Sequence, residues 1–124
     1  MEGKSAVIKI GEKEYELLLT TKATKEINAK FGGLDQVGNK LTAAKDVGES
    51  LSIVIWLIVL LANQMILRNN LINKKEEPLL KEEEVEILTS PADLNSFTEA
   101  IMSALINGTK RTVEGEEGKN AEGE

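Results

Sequence analysis

Residues 50–69, SLSIVIWLIVLLANQMILRN, decide how this chain folds. No charged side chain lies from Leu51 to Leu67, and no polar one from Ile53 to Ala62. Three readings compete: a membrane span, the central helix of a folded core, or a surface that another chain covers. A spanning helix needs about 20 predominantly apolar residues to cross roughly 30 Å of hydrocarbon. The uncharged window, 51–67, includes Ser52, Asn63 and Gln64, and at about 1.5 Å per residue it reaches only some 25 Å. Its unbroken apolar part, 53–62, covers about 15 Å by the same rise. Trp56 sits mid-run, where an interfacial anchor would not be. A core helix is therefore favoured over a span.

That reading carries a second expectation. An amphipathic helix needs one apolar stripe, whereas residues 53–62 are apolar on every face. One hairpin and a few small helices are the only companions available to enclose it. Any Leu, Ile or Val side chain left wet costs roughly 1.5–3 kcal/mol. Self-association or a partner chain is expected to cover part of this segment.

Working outward, AVIKIGEKEYELLL (6–19) alternates in the manner of a β-hairpin, with Ile8 and Ile10 against Tyr15, Leu17 and Leu19, and Gly11-Glu12-Lys13 as the turn. Such a ribbon must pack its apolar face on something, because an isolated hairpin is marginal in water. A helix follows at about 21–31, capped by Thr20 or Thr21, striped by Ala23, Ile27 and Phe31, and stopped by Gly32-Gly33. A short helix at 34–41 would turn Leu34, Val37 and Leu41 inward. The long helix spans about 47–72, started by Asp46 with Glu49 in capping-box spacing or by Ser50, and ended in NKKEEP. Residues 81–88 read as a short helix with Val85 and Leu88 on its inner side. Ser90-Pro91-Ala92-Asp93 then starts a helix at 91–107: Ser caps, Pro occupies the first turn, and Asp favours the positive dipole end. Asn107-Gly108 is expected to close it, and the glycine-rich acidic residues 109–124 to be disordered. The expected fold is mainly α with an N-terminal β-hairpin (α+β). Residues 1–108 form a single domain, a small bundle around one long apolar helix.

A chain of 124 residues is one domain in size, and a domain of that size buries roughly two thirds of its unfolded surface without needing a disulfide. Cysteine and histidine are both absent, which removes thiol chemistry, histidine general-base catalysis and the usual zinc sites. The net charge is −6 and unevenly placed. Residues 1–75 carry 11 Lys/Arg against 8 Asp/Glu, a net +3, and residues 76–124 carry 4 against 13, a net −9. A nucleic-acid binder shows a concentrated basic patch backed by aromatics; with one Trp, one Tyr and two Phe, no nucleic-acid partner is expected. A secretory signal is not expected at the start either, since charges at Lys9, Glu12, Lys13, Glu14 and Glu16 fall where its apolar core would lie.

The carboxylate runs KEEP, KEEEVE and EGEEG read as solvated loop, helix surface and tail. No glycine-rich phosphate loop or calcium loop occurs, and Ser and Thr have no histidine to activate them. No enzyme activity, metal or cofactor is expected. The residues to watch for partner binding or self-association are Ile53, Trp56, Leu60 and Met65 on the long helix, and Phe97 and Met102 on the last one. Core packing is the plainer role for each; methionine in a partner groove is the alternative.

The order of elements also resembles a family. VIKIGEKEYELLLTTKATKEINAKFGG leads into helices, and EEEVEILTSPADLNSFTEAIMSALINGTKR runs into a charged, glycine-rich tail. This resembles the small tail assembly chaperones of long-tailed bacteriophages and prophages, especially those of Gram-positive hosts, over about residues 6–110. The shared motifs are loose: a Gly-Glu-x-x-Tyr-x-Leu-x-Leu-Thr strand, a Phe-Gly-Gly helix stop and a capped last helix. The resemblance implies a cytoplasmic, non-enzymatic protein that binds the tape measure protein, a long and mostly helical chain, and keeps it soluble. It implies help in recruiting tail tube subunits, absence from the mature virion, and in many members a longer form made by ribosomal frameshifting. It supplies no catalytic or ligand residues. The middle helix is more hydrophobic than the family pattern, which keeps open a small membrane protein inserted through 51–67. A structural tail or connector component is the third reading.

Overall fold

The computed structural model describes the backbone of residues 6–123 and the side chains of residues 6–109. Strands β1 (Val7–Ile10) and β2 (Lys13–Glu16) form one antiparallel hairpin, with Ile8 opposite Tyr15 and Ile10 opposite Lys13. The turn is two residues, Gly11-Glu12, and Lys13 already belongs to β2. Gly11 takes φ +63° at the first central position, where a tight hairpin turn favours a residue without Cβ. The alternation does what it suggests: Ala6, Ile8 and Ile10 point into the core while Val7 and Lys9 face outward. Beyond β2 the chain stays extended, and the Leu18 N–H donates to the Leu61 carbonyl on the long helix at 3.1 Å.

Helix α1 (Thr21–Phe31) has Thr20 as its N-cap, accepting from the Ala23 N–H at 3.0 Å, and ends at Gly32 with φ +94°. Its stripe Ala23, Ile27 and Phe31 is buried as the spacing requires. The expected 34–41 helix is a 3-10 turn (Leu34–Gln36) that runs into α2 (Val37–Thr42); Val37 is buried, Leu34 and Leu41 only partly.

Helix α3 (Val47–Asn73) is capped by Asp46, which accepts from the Glu49 N–H at 2.9 Å. The Glu49 carboxylate reaches back one residue further than in a standard capping box, to the Lys45 N–H at 2.6 Å. Lys74, with φ +54°, ends the helix in the left-handed conformation. Helix α4 (Glu82–Leu88) buries Val85 completely. Its Leu88 does not face inward as expected: it is 54% exposed and lies over the hairpin turn, with Cδ1 3.4 Å from where a Cβ on Gly11 would be. Helix α5 (Pro91–Gly123) starts on a reciprocal pair, Ser90 N–H to Asp93 Oδ2 at 3.0 Å and Asp93 N–H to Ser90 Oγ at 3.3 Å.

Asn107-Gly108 does not end α5, whose backbone passes through it. Gly108 instead permits a close approach, since a Cβ there would lie 2.7 Å from Leu19 Cβ. The stretch 109–124, expected to be disordered, lies outside the described side chains except for Thr109.

Helix α3 is the axis of the molecule: α1, α2, α4, α5 and β2 all pack on it. Leu57, Ile58 and Leu61 are fully buried, as are Ile27 on α1 and Ile101 on α5. The expected shortfall in covering 53–62 does not arise. Val54, Ile55, Leu57, Ile58, Leu60, Leu61 and Ala62 are buried; Ile53, Trp56 and Val59 are partly buried; none is exposed. Five elements pack on this one helix, and the return after α3, fastened by Asn63 to Leu80, adds a side that a count of one hairpin and a few small helices omits. The wet apolar side chains on α3 lie at its ends: Val47, Leu71 and Ile72, with Leu71 82% exposed.

Candidate partner-binding groove

The polar residues inside the apolar run explain how the groove is built. Asn63 is buried, and its side-chain amide makes two bonds to one residue. Nδ2–H donates to the Leu80 carbonyl at 2.9 Å, and Oδ1 accepts from the Leu80 N–H at 2.7 Å. Two turns along the helix Asn70 repeats the arrangement on Glu77, at 3.2 and 3.1 Å. These two side chains stand in for a neighbouring strand and fasten the extended return, residues 75–81, along α3. Gln64 is buried beside them; its Nε2–H donates to the Leu60 carbonyl at 3.0 Å and its Oε1 accepts from the Thr20 hydroxyl. That links the N-cap of α1 to the middle of α3. Among the described residues no buried side-chain polar atom lacks a partner, in keeping with the cost of burying one unpaired.

Between α1 on one side and the 79–82 stretch on the other, α3 forms the floor of a groove of about 230 Å³. Trp56, Val59, Leu60 and Leu67 supply the apolar surface, Leu79 an apolar edge, and Lys22, Glu26 and Glu82 a charged rim. Lys22 and Glu26 pair across one turn at 3.1 Å, both well exposed, an arrangement worth well under about 1 kcal/mol. Small-molecule pockets run to about 300–1,000 Å³, so this groove takes one or two aliphatic side chains of a larger partner. Along α3 the positions Leu60, Leu67 and Leu71 share one face at i, i+7 and i+11, which continues the strip out of the groove to fully solvated leucine. Trp56 is held at the opposite end. It meets Phe31 edge-to-face at 5.5 Å and 88°, with Lys30 Nζ 4.9 Å from its ring centroid, a geometry that fixes the indole without closing the groove.

Of the six residues singled out in the sequence, the groove brings together Trp56 and Leu60. Phe97 is buried beside a second cleft, between β1 and α5. Ile53, Met65 and Met102 are partly buried, with Ile53 and Met102 packed against the core. Val59, Leu67 and Leu79 were not singled out; the spacing from Trp56 to Leu60 and Leu67 marks the first two as sharing its face, whereas Leu79 has no signal in sequence. No three His, Cys, Asp or Glu side chains gather as a metal-binding group among the described residues. Tyr15 is the titratable group set apart by its surroundings: burial, and then the nearby Glu84 carboxylate, raise its pKa above 10.0. Compared with protein-family models, with curated proteins and with solved structures, the chain has no match.

Proposed function

We propose that this chain is a non-enzymatic tail assembly chaperone of a long-tailed phage or prophage. In this reading it is cytoplasmic and absent from the finished particle. It self-associates, binds an apolar-striped helix of the tape measure protein, and helps bring tail tube subunits to it. The observation that carries the reading is the groove on α3. It has an apolar floor at Trp56, Val59, Leu60 and Leu67 and a rim of mixed charge, and it runs on to solvated Leu71 at helical spacing. That is the complement of an amphipathic client helix, whose anchors recur at i, i+3, i+4 and i+7. The acidic C-terminal half, net −9 over residues 76–124, would lend solubility to such a complex.

The test is co-expression with the tape measure protein of the same tail-gene cluster, followed by a pull-down. Leu67→Glu and Leu71→Asp are expected to abolish capture while leaving the helical circular-dichroism signal intact. Capture unchanged by both, or no capture by the wild-type protein, would refute the reading. The alternative, insertion through 51–67, draws on the 18-residue window within α3 whose mean hydropathy is 2.2. Half of that window is buried by the protein's own elements, so insertion would require the fold to open. A pool of protein extractable from membranes only by detergent would favour insertion; detection in purified virions would favour a structural tail component.

A further inference from the structure

The groove is short for the client helix proposed for it. At about 230 Å³ it takes one or two side chains, whereas a helix docked by its apolar stripe sets anchors from i to i+7. The floor itself runs further. Leu60, Leu67 and Leu71 share one face of α3, and the rise from the first to the last is about 16 Å. Leu79, on the return after α3, bounds the groove along this side. That return is held unequally along its length. Glu77 and Leu80 are spaced about 10 Å apart on an extended chain, and Asn70 and Asn63 about 10.5 Å apart on the helix, so the two segments run antiparallel in step. At the inner clamp Asn63 and Leu80 are both buried. At the outer clamp Glu77 is exposed and Asn70 only partly buried, with bonds of 3.1 and 3.2 Å. All of residues 74–79 are exposed. Among the described residues the backbones of Glu76, Pro78 and Leu79 make no hydrogen bond. Lys74, where the chain leaves α3, sits at φ +54°, in the left-handed region that a side chain disfavours.

We infer that residues 74–79 are a hinged strap along the groove, latched by Asn70 on Glu77 and pivoting on the Asn63–Leu80 clamp. Opening the latch trades two exposed bonds for bonds to water and wets the rest of Leu79, already 42% exposed. Opening the pivot costs more, since it leaves the buried Asn63 amide unpaired and brings Leu80 into water. The strap is thus the part that opens locally while the core stays folded. Beyond the pivot Glu82 keeps its place on the rim, because the buried Val85 fixes α4. With the latch open, Leu79 leaves the edge and the face from Leu60 to Leu71 is free along its length. A partner helix enters this open state, and its apparent affinity falls with the fraction of chains that are open. The inference rests on the groove reading only for what enters; the movement of the strap needs no client.

Amide hydrogen exchange of the full wild-type chain, followed by NMR with no client present, tests the hinge. The Glu77 N–H is held by the latch and the Leu80 N–H by the pivot. Corrected for intrinsic rates, Glu77 is expected to exchange more than about tenfold faster than Leu80. Cover of the floor is read by a maleimide. The chain has no cysteine, so Leu67→Cys supplies a single reactive thiol in the groove. Adding Asn70→Ala is expected to speed its labelling about two- to fivefold while the Leu80 N–H stays slow. An exchange ratio below about tenfold, or a labelling rate that Asn70→Ala leaves unchanged, would each overturn the inference. Both results as expected, with no capture of the tape measure protein, would leave the strap standing and refute the client reading alone.

Discussion

Asn63→Ala isolates the device that makes α3 a core helix. In the native chain Leu80 is 4% exposed, and its N–H and C=O have Asn63 as their side-chain partner, at 2.7 and 2.9 Å. Truncation leaves both groups buried and unpaired, each at about 1–3 kcal/mol. The alternative, release of the 75–81 return into water, gives up the burial of the Leu80 side chain, worth about 1.5–3 kcal/mol. The cheaper route sets the loss at roughly 1.5–3 kcal/mol, a large share of the 5–15 kcal/mol typical of a domain. Asn70→Ala removes the same pair of bonds where Glu77 is exposed and water can replace them, so its cost is expected below about 1 kcal/mol. Trp56, the sole tryptophan, reports urea unfolding of both variants. An Asn63→Ala loss within about 0.5 kcal/mol of wild type, or equal losses for the two asparagines, would refute the reasoning.

Three further outcomes follow. Gly108→Ala, ordinarily favourable inside a helix by up to about 1 kcal/mol, is expected to destabilise by about 1–2 kcal/mol, because its Cβ would meet Leu19 Cβ at 2.7 Å; thermal unfolding gives the sign. Tyr15 has its pKa raised by burial and then by Glu84. Its contribution is therefore fully present below the unfolded value of 10.0 and is lost as pH rises through the higher folded value. Ultraviolet titration of the phenol should show ionisation later in native than in urea-unfolded protein, and Glu84→Gln should narrow the gap. Leu57→Ala empties a fully buried site at the centre of α3 and is expected to cost about 2–5 kcal/mol in urea unfolding; a loss below 1 kcal/mol would mean α3 is not the core.

What the sequence makes legible is local. The Thr20 cap, the Gly32 stop and the Ser90-Pro91-Asp93 start each depend on residues within four positions of one another and appear where the pattern puts them, and the hairpin, whose paired residues are at most nine positions apart, appears with only Lys13 moved from the turn into β2. What it hides is tertiary. Asn63 reads as a polar interruption of an apolar run, because its partner Leu80 is 17 residues away in an extended stretch with no periodicity. Gly108 follows Asn107 in the usual form of a helix stop, but the close packing of Leu19 gives the glycine a different task. Leu88 continues the inner stripe of α4 by spacing, yet the hairpin turn stands in its path. The estimate of uncovered surface on 53–62 fails for the same reason: it counts one hairpin and a few small helices, and leaves out the non-helical return that Asn63 fastens along α3. In the groove, Trp56 and Leu60 were readable as one face, while the wall that turns that face into a groove comes from Leu79 on the fastened return.

The central claim is that α3 is enclosed by its own chain and offers partners only the groove and the strip beyond it. Fractionation of cells expressing the full chain tests this most directly. The expected result is protein in the detergent-free supernatant after ultracentrifugation, unfolding in urea in one cooperative transition seen by Trp56. Recovery in the membrane pellet, with release by detergent alone, would contradict it.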